Sequence, residues 1–271
     1  MPLQKLIHVL GMLVTICVTS VNICGQSVAQ TGNQEVIGRA QSAYYNLTKH
    51  GFNGFKATIE PNWNVILAHT ATPQNLKVFR AVQFSASADA SGSVTVQYEI
   101  TPSEKRRLES TITQIHKNMQ GLVGGFFNTW RMFMVASPFG PTESEIKVED
   151  QANGYRFSYS THPADVVLTT TKDLVITEWK LSGPTAIRTI RPQFRKTPEG
   201  LLLTGYDGDF QPVGTGISTN LSFSIEYQNV KGMQLPHIVR IKGMHGGEAV
   251  AAVLTFNQYV IDSSHASQTM P

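Results

Sequence analysis

Short segments in which apolar and polar residues alternate constrain the fold of this chain more than any other feature. In residues 221–227 the apolar side chains stand at every second position, as Leu221, Phe223, Ile225 and Tyr227. The same period of two occupies residues 94–100 and 155–160. Successive side chains of a β-strand point to opposite faces of its sheet. Each segment is therefore predicted to be a strand with one buried face and one solvated face.

The links between these segments are short, and short links make neighbouring strands antiparallel. Turn-forming residues lie at 89–92 and at 197–200, each between two apolar segments. The pattern predicts roughly ten strands. No internal repeat and no long linker rich in Pro, Gly or Ser divides the chain, so residues 30–271 are interpreted as one domain with a polar tail from about residue 263.

Two other segments have a helical period. Residues 33–50 carry apolar side chains at spacings of three and four, with Asn33 placed to cap the start and Gly51 placed to end it. Residues 103–136 form the second segment, with Ser103 as the expected N-cap. Three glycines interrupt it at 121, 124 and 125, and each costs a helix up to about 1 kcal/mol relative to alanine. Two helical pieces are therefore predicted there.

These elements together predict an α+β fold. An antiparallel sheet that is solvated on one side must cover its apolar side. The two helical segments are the available cover. We therefore expect a curved antiparallel sheet, an incomplete barrel of about ten strands, wrapped over helices.

The first 29 residues have the layout of a secretory signal peptide. Lys5 is their only charge, an apolar run covers residues 6–18, and the small residues Ser27 and Ala29 flank Val28. The run is shorter than the roughly 20 residues that cross a bilayer. The prediction is cleavage near Ala29 and export to the bacterial periplasm or the medium.

Both cysteines of the chain, Cys17 and Cys24, lie inside that segment. The exported chain would then contain no disulfide and no thiol. Cys24 is a poor candidate for a lipid anchor, because the bulky Ile23 precedes it. The formal net charge of the full chain is only +3, which disfavours nucleic acid as a partner.

Residues 121–139, "GLVGGFFNTWRMFMVASPF", are the most aromatic part of the sequence. Asn128 and Arg131 argue against a membrane span, because an arginine at the centre of a span costs at least about 2.5 kcal/mol. Two interpretations remain: the stretch is ordinary core, or it lines an apolar ligand cavity. In the second, the glycines permit movement, with Gly124 and Gly125 as the hinge. The expected ligand-binding residues are Phe126, Phe127, Trp130, Phe133 and Met134.

Catalytic and metal-binding signatures are weak. The sequence contains neither an H-E-x-x-H motif nor a G-x-S-x-G motif. His245 and Glu248 lie in a glycine-rich segment that is predicted to be a turn, and Asp207 and Asp209 flank a glycine in another predicted turn. The prediction is a non-enzymatic protein without a cofactor or a metal ion.

Two segments resemble a known family. "AQSAYYNLTKHGFNGFKATIE" at 40–60 places a helix directly before a first strand, and "FSIEYQNVKGMQLPHIVRIKG" at 223–243 gives a strand, a Val-Lys-Gly turn and a second strand. Both resemble the periplasmic lipoprotein carriers and lipoprotein-sorting proteins of the LolA-like superfamily. The resemblance implies an incomplete barrel closed by helices, with an apolar interior that holds lipid acyl chains.

The resemblance implies an exported carrier for a lipid or another hydrophobic ligand, such as a lipoprotein acyl chain. Two alternatives stay open. One is a secreted hydrolase whose catalytic residues meet only in space. The other is an envelope protein that binds another protein along its sheet edge.

Overall fold

A computed structural model describes residues 31–68, 71–140, 145–214 and 216–261, with side chains left undescribed at 31, 32, 75 and 102–109. The predicted signal peptide, the polar tail and the charged side chains of 105–107 lie outside this description. The first elements are α1 (Thr31–Ser42), a 3-10 helix (Leu47–His50), β1 (Phe55–Pro61), α2 (Trp63–Ile66), α3 (Pro73–Arg80), β2 (Gln83–Ala88), β3 (Val94–Glu99) and α4 (Pro102–Met134).

Nine strands follow α4 in the described residues. They are β4 (Lys147–Gln151), β5 (Gly154–Thr161), β6 (Ala164–Thr171), β7 (Ile176–Ser182), β8 (Ala186–Thr197), β9 (Gly200–Pro212), β10 (Thr219–Val230), β11 (Met233–His245) and β12 (Glu248–Ile261). The 12 strands described here belong to one sheet in the order β3-β2-β1-β12-β11-β10-β9-β8-β7-β6-β5-β4. Every pairing between these strands is antiparallel.

The predicted antiparallel sheet is confirmed, but its strand number is corrected. The described residues form 12 strands rather than about ten, and the sheet is open, with β3 and β4 at its two edges. The inward direction expected for the alternating segments 94–100 and 221–227 is also borne out. Val96, Phe223 and Ile225 are buried, and Tyr98 and Tyr227 are partly buried against the same core.

A single turn of α4 contacts distant parts of the sheet. The Arg131 side chain reaches Ser91 in the β2–β3 turn at 3.5 Å, while Trp130 Nε1 donates a hydrogen bond to the Tyr227 hydroxyl of β10 at 3.2 Å. In a flat sheet, the five strand spacings between β3 and β10 would separate them by about 24 Å. A helix is only about 10–12 Å wide. One turn of α4 thus contacts both the β2–β3 turn and β10, which is consistent with a curved sheet.

Both predicted helical segments differ from the structure. Residues 102–134 form one unbroken helix of 33 residues that starts after the N-cap Thr101, with Pro102 in its first turn, so the two predicted pieces and the Ser103 cap are wrong. Burial of residues on both sides of the glycines, among them Leu122 and Phe126, outweighs their low helix propensity. The segment 33–50 is divided into α1 and a 3-10 helix, and Gly51 ends the latter with a φ of 76°.

The outer edge of β3 is covered by side chains of α4. The Val96 amide donates to Gln120 Oε1 at 2.6 Å, and Gln120 Nε2 donates to the Val94 carbonyl at 3.3 Å. His116 Nε2 lies 2.8 Å from the Val96 carbonyl. The helix thus makes hydrogen bonds that a further strand would otherwise make with this edge.

No helix in the described part of the chain is long and apolar enough to cross a membrane.

A candidate ligand pocket beside helix α4

A cavity of about 130 Å³ lies between α4 and four neighbouring strands, β7 to β10. One wall is helical and the other is the inner face of the sheet. The helical wall consists of Gly125, Asn128, Thr129 and Met132. The strand residues that face it include Trp179, Arg188, Ile190, Tyr206, Gly208, Phe210, Thr219, Leu221 and Phe223.

The helical wall follows directly from the helical repeat. Gly125, Asn128, Thr129 and Met132 have the spacing i, i+3, i+4 and i+7, which places them in one stripe along α4. All four are partly buried rather than fully buried. Their side chains range from none at Gly125 to a flexible thioether at Met132, so this stripe leaves space that larger residues would fill.

The sheet wall has a gap at Gly208, near the middle of β9. A Cβ atom built there would have its nearest neighbour, the Leu221 carbonyl oxygen, at 3.8 Å and the Tyr206 ring at 3.9 Å. Those are ordinary van der Waals distances, so the backbone does not demand a glycine. Gly208 instead contributes empty volume between Ile190 and Leu221, its partners on the adjacent strands.

Arg188 supplies a positive charge on the sheet wall. Its guanidinium carbon lies 5.2 Å from the centre of the Phe210 ring, its cross-strand partner. Burial lowers the pKa of Arg188 from its ordinary value, because a desolvated cation loses its interactions with water. The side chain is thus a cation held against an aromatic ring in an apolar recess.

Asp209 also borders the cavity, but its carboxylate binds side chains on the outer face of the sheet. Oδ2 lies 2.6 Å from Arg191 Nη1, and Oδ1 accepts a hydrogen bond from Asn220 Nδ2 at 2.6 Å. The bond to Arg191 lowers the pKa of Asp209. These contacts correct the turn expected around Asp207 and Asp209: both lie within β9, where cross-strand partners fix their directions.

His245, the last residue of β11, lies beside the pocket. His245 Nδ1 lies 2.6 Å from Thr219 Oγ1, and Thr219 lines the cavity. The predicted glycine-rich turn is present, since Gly246 and Gly247 have positive φ and connect β11 to β12. Deeper in the wall, burial raises the pKa of Tyr206, and the neighbouring Thr129 hydroxyl opposes that shift.

The five predicted ligand residues lie on the adjoining face of α4, in the packed core. Phe126, Phe127 and Met134 retain no exposed surface, Trp130 likewise has none, and Phe133 is 1% exposed. Their rings contact other rings: Phe127 lies 5.5 Å from Phe55 and Phe133 lies 5.8 Å from Phe194, between centroids. None of the five borders the 130 Å³ cavity. A role for them in contacting a ligand stays a prediction.

The two predicted hinge glycines have different surroundings. A Cβ at Gly124 would lie 3.3 Å from Gln120 Nε2, the amide that covers the β3 edge. Gly125 lies in the stripe that lines the cavity. Neither interrupts the helix. Movement of α4 about these residues stays a prediction.

Sequence reasoning did not single out Arg188, Thr219 or Tyr206. A signal was present for Arg188, since period two places it on one strand face with Ala186 and Ile190, both buried. An arginine between two buried apolar positions indicates a polar group directed toward an interior. Among the described residues, no cluster of three or more His, Cys, Asp or Glu could hold a metal ion.

Comparisons of this chain with models of known protein families, with curated proteins and with solved structures find no match.

Proposed function

We propose that this chain is a non-enzymatic binding or carrier protein for a small hydrophobic or amphiphilic molecule, which it holds between α4 and strands β7 to β10. The observation that carries the proposal is the cavity itself. It is largely apolar, with Trp179, Leu221 and Phe223 among its lining residues, and a few polar groups converge on it. Ligand sites in proteins commonly combine an apolar lining with a few placed polar groups.

The cavity volume limits the ligand. An engineered cavity of about 150 Å³ binds benzene, so about 130 Å³ accommodates one ring or a short alkyl chain. A complete lipid acyl chain would require α4 and the sheet to separate. The proposal therefore favours a short amphiphile, or the end of a longer chain, as the resting occupant.

The finer proposal is that the curved sheet and its helices form a LolA-like incomplete barrel that acts in the bacterial envelope. It is supported by the contacts of α4 with the β2–β3 turn and with β10, and by the segments at 40–60 and 223–243. The apolar run at 6–18 and the small residues at 27 and 29 support export. A lipoprotein acyl chain is one ligand that this proposal includes.

Filling the cavity tests the proposal. Gly208→Val adds bulk at a position where a Cβ makes only ordinary contacts. We expect it to reduce binding of hexanol at least tenfold, as measured by isothermal titration calorimetry and by tryptophan fluorescence, to which Trp179 on the cavity wall contributes. Ser224→Val is the matched control, because it adds the same side chain at an exposed position of β10.

Two outcomes would overturn the proposal. One is the absence of hexanol binding to the wild type, together with no small apolar molecule or lipid in an organic extract of the protein purified from its own envelope. The other is equal affinity in the wild type and in Gly208→Val, provided that circular dichroism shows both to be folded.

A hydrolase is the second candidate, and the Thr219–His245 pair favours it. The 2.6 Å separation is within the reach needed for a base to activate a hydroxyl nucleophile. If this function is correct, the wild type hydrolyses p-nitrophenyl butyrate and His245→Gln does so at least a hundredfold more slowly. Equal rates in the two proteins, or a rate no faster than buffer, would exclude it.

A further inference from the structure

One end of the sheet carries most of the large apolar side chains that are exposed. Among the described residues there are four, and three of them are Val213 at 57%, Ile217 at 42% and Met244 at 44% exposed. Val213 and Ile217 lie in the loop between β9 and β10, and Met244 is the penultimate residue of β11. These three residues are named the tip patch. The fourth, Val260, lies near the end of β12, at the opposite end of the sheet.

Backbone hydrogen bonds fix the position of the tip patch. The Val213 amide donates to the Thr185 carbonyl of the β7–β8 turn at 2.8 Å. The Gly246 amide of the β11–β12 turn donates to the Ser218 carbonyl at 3.0 Å. A Cβ built on Gly246 would lie 3.7 Å from Ile217 Cγ2. The β9–β10 loop is therefore held between the two turns that flank it at this end of the sheet.

The turns at this end of the sheet carry no formal charge. Strands β4 to β12 are consecutive neighbours, so alternate turns lie at the same end. Asp, Glu, Lys and Arg are absent from the turns at 162–163, 183–185, 213–218 and 246–247. The turns at the other end of these strands contain Lys172, Asp173, Glu199 and Lys231. An uncharged end can leave water at a much smaller cost than a charged one.

The tip patch adjoins the candidate pocket. Phe210 and Thr219 are cross-strand partners, both line the cavity, and the β9–β10 loop connects their strands. Val213 follows Phe210 by three residues, and Ile217 precedes Thr219 by two. A surface that contacts the tip patch would therefore lie next to the strand ends that border the pocket.

We propose that the tip patch docks this protein onto a lipid bilayer, with Val213, Ile217 and Met244 entering the interface between the head groups and the acyl chains. The inference goes beyond ligand binding, because it names the surface at which an amphiphile would enter or leave. Apolar side chains gain free energy when they leave water for this interface. A protein partner fits less well, since stable protein interfaces bury about 1,200–2,000 Å² and three side chains on a loop and a strand end offer much less.

Vesicle binding tests the proposal. The wild-type protein, purified from its own cells, is sedimented with vesicles of phosphatidylcholine alone and of phosphatidylcholine mixed with phosphatidylglycerol. We expect binding to both, with affinities within about threefold of each other, because apolar contact rather than charge provides the attraction. Hexanol titration, measured separately, reports on the pocket.

Variants then assign vesicle binding to the tip patch. The triple variant Val213→Ser, Ile217→Ser and Met244→Ser should bind both vesicles at least tenfold more weakly, because it removes the apolar surface that enters the bilayer. Val260→Ser is the matched control, since it removes an equally exposed apolar side chain at the opposite end of the sheet. Its vesicle affinity should stay within about twofold of the wild type.

Three outcomes would overturn the proposal. The first is a wild type that sediments with neither kind of vesicle. The second is an equal loss of binding in Val260→Ser, or no loss in the triple variant. The third is a dimer in analytical ultracentrifugation that the triple variant abolishes without vesicle binding, because the patch would then join two copies. Should the triple variant fail to fold, Val213→Ser alone should weaken vesicle binding severalfold, and an unchanged affinity would contradict the proposal.

Discussion

Two faces of helix α4 differ in burial and in what they contact. The core face, which consists of Phe126, Phe127, Trp130, Phe133 and Met134, has almost no exposed surface. The pocket face, which consists of Gly125, Asn128, Thr129 and Met132, is partly buried and borders the cavity. The two faces adjoin along about three turns of the helix, from Gly125 to Met134. The large aromatic side chains of the core face fill the space around them. The pocket face has a glycine and three side chains that are not aromatic, and it leaves a cavity beside the helix.

The largest expected effect is on the core face. Trp130→Ala should lower the free energy of unfolding by about 3–5 kcal/mol, because it removes a fully buried ring and its hydrogen bond to the Tyr227 hydroxyl. Urea denaturation followed by circular dichroism measures this change. A loss below about 1.5 kcal/mol together with a large loss of hexanol binding would instead support the core face as the ligand site.

Met132→Ala, on the pocket face, is the matched comparison. We expect it to lower the free energy of unfolding by about 1 kcal/mol, well below the range for a fully buried apolar side chain, because Met132 borders empty volume. Hexanol affinity should change severalfold, since the thioether forms part of the cavity wall. If Met132→Ala were as destabilising as Trp130→Ala, the distinction between the two faces would fail.

The glycines allow a third comparison. Gly125→Ala should stabilise the protein by up to about 1 kcal/mol through helix propensity, while its methyl group narrows the cavity and weakens hexanol binding. Gly124→Ala should stabilise less, because its Cβ would lie 3.3 Å from Gln120 Nε2. Thermal melts and hexanol titrations measure both. If the glycines form a hinge, both variants should instead slow ligand uptake in stopped-flow fluorescence.

The smallest effect concerns the outer side of the pocket wall. Arg191 lowers the pKa of Asp209, so the pair stabilises the fold at neutral pH and that contribution is lost as the pH falls through the lowered pKa. Asp209→Asn should lower the free energy of unfolding by less than about 1 kcal/mol at pH 7, because the ion pair is at the surface. At a pH below that pKa, the variant and the wild type should unfold at the same urea concentration. A difference that persists in acid would indicate another role for Asp209.

Sequence periodicity predicted the sheet well because the two faces of a strand differ in solvent exposure. Residues 94–100 and 221–227 illustrate this, since their inward side chains lie in the core. The continuity of α4 was not predictable from the glycines, because it depends on partners such as Phe223 and Tyr227 that are distant in sequence.

The pocket was harder to predict than the sheet. It depends on the register that places Gly208 beside Ile190 and Leu221, and on the rotation of α4 that turns Gly125 toward them. An aromatic-rich stretch indicates only that much apolar surface is buried. It does not indicate where space remains, because that space arises from absent side chains on two separate elements.

The covered edge of β3 has a consequence for self-assembly. Endless growth of a sheet from many copies needs two complementary edges on each copy, one to accept the preceding chain and one to receive the next. Gln120 and His116 already engage the Val94 and Val96 backbone at one edge. Strand addition at the other edge, β4, would join two copies and then stop, so the α4 side chains at the β3 edge oppose growth of a fibre.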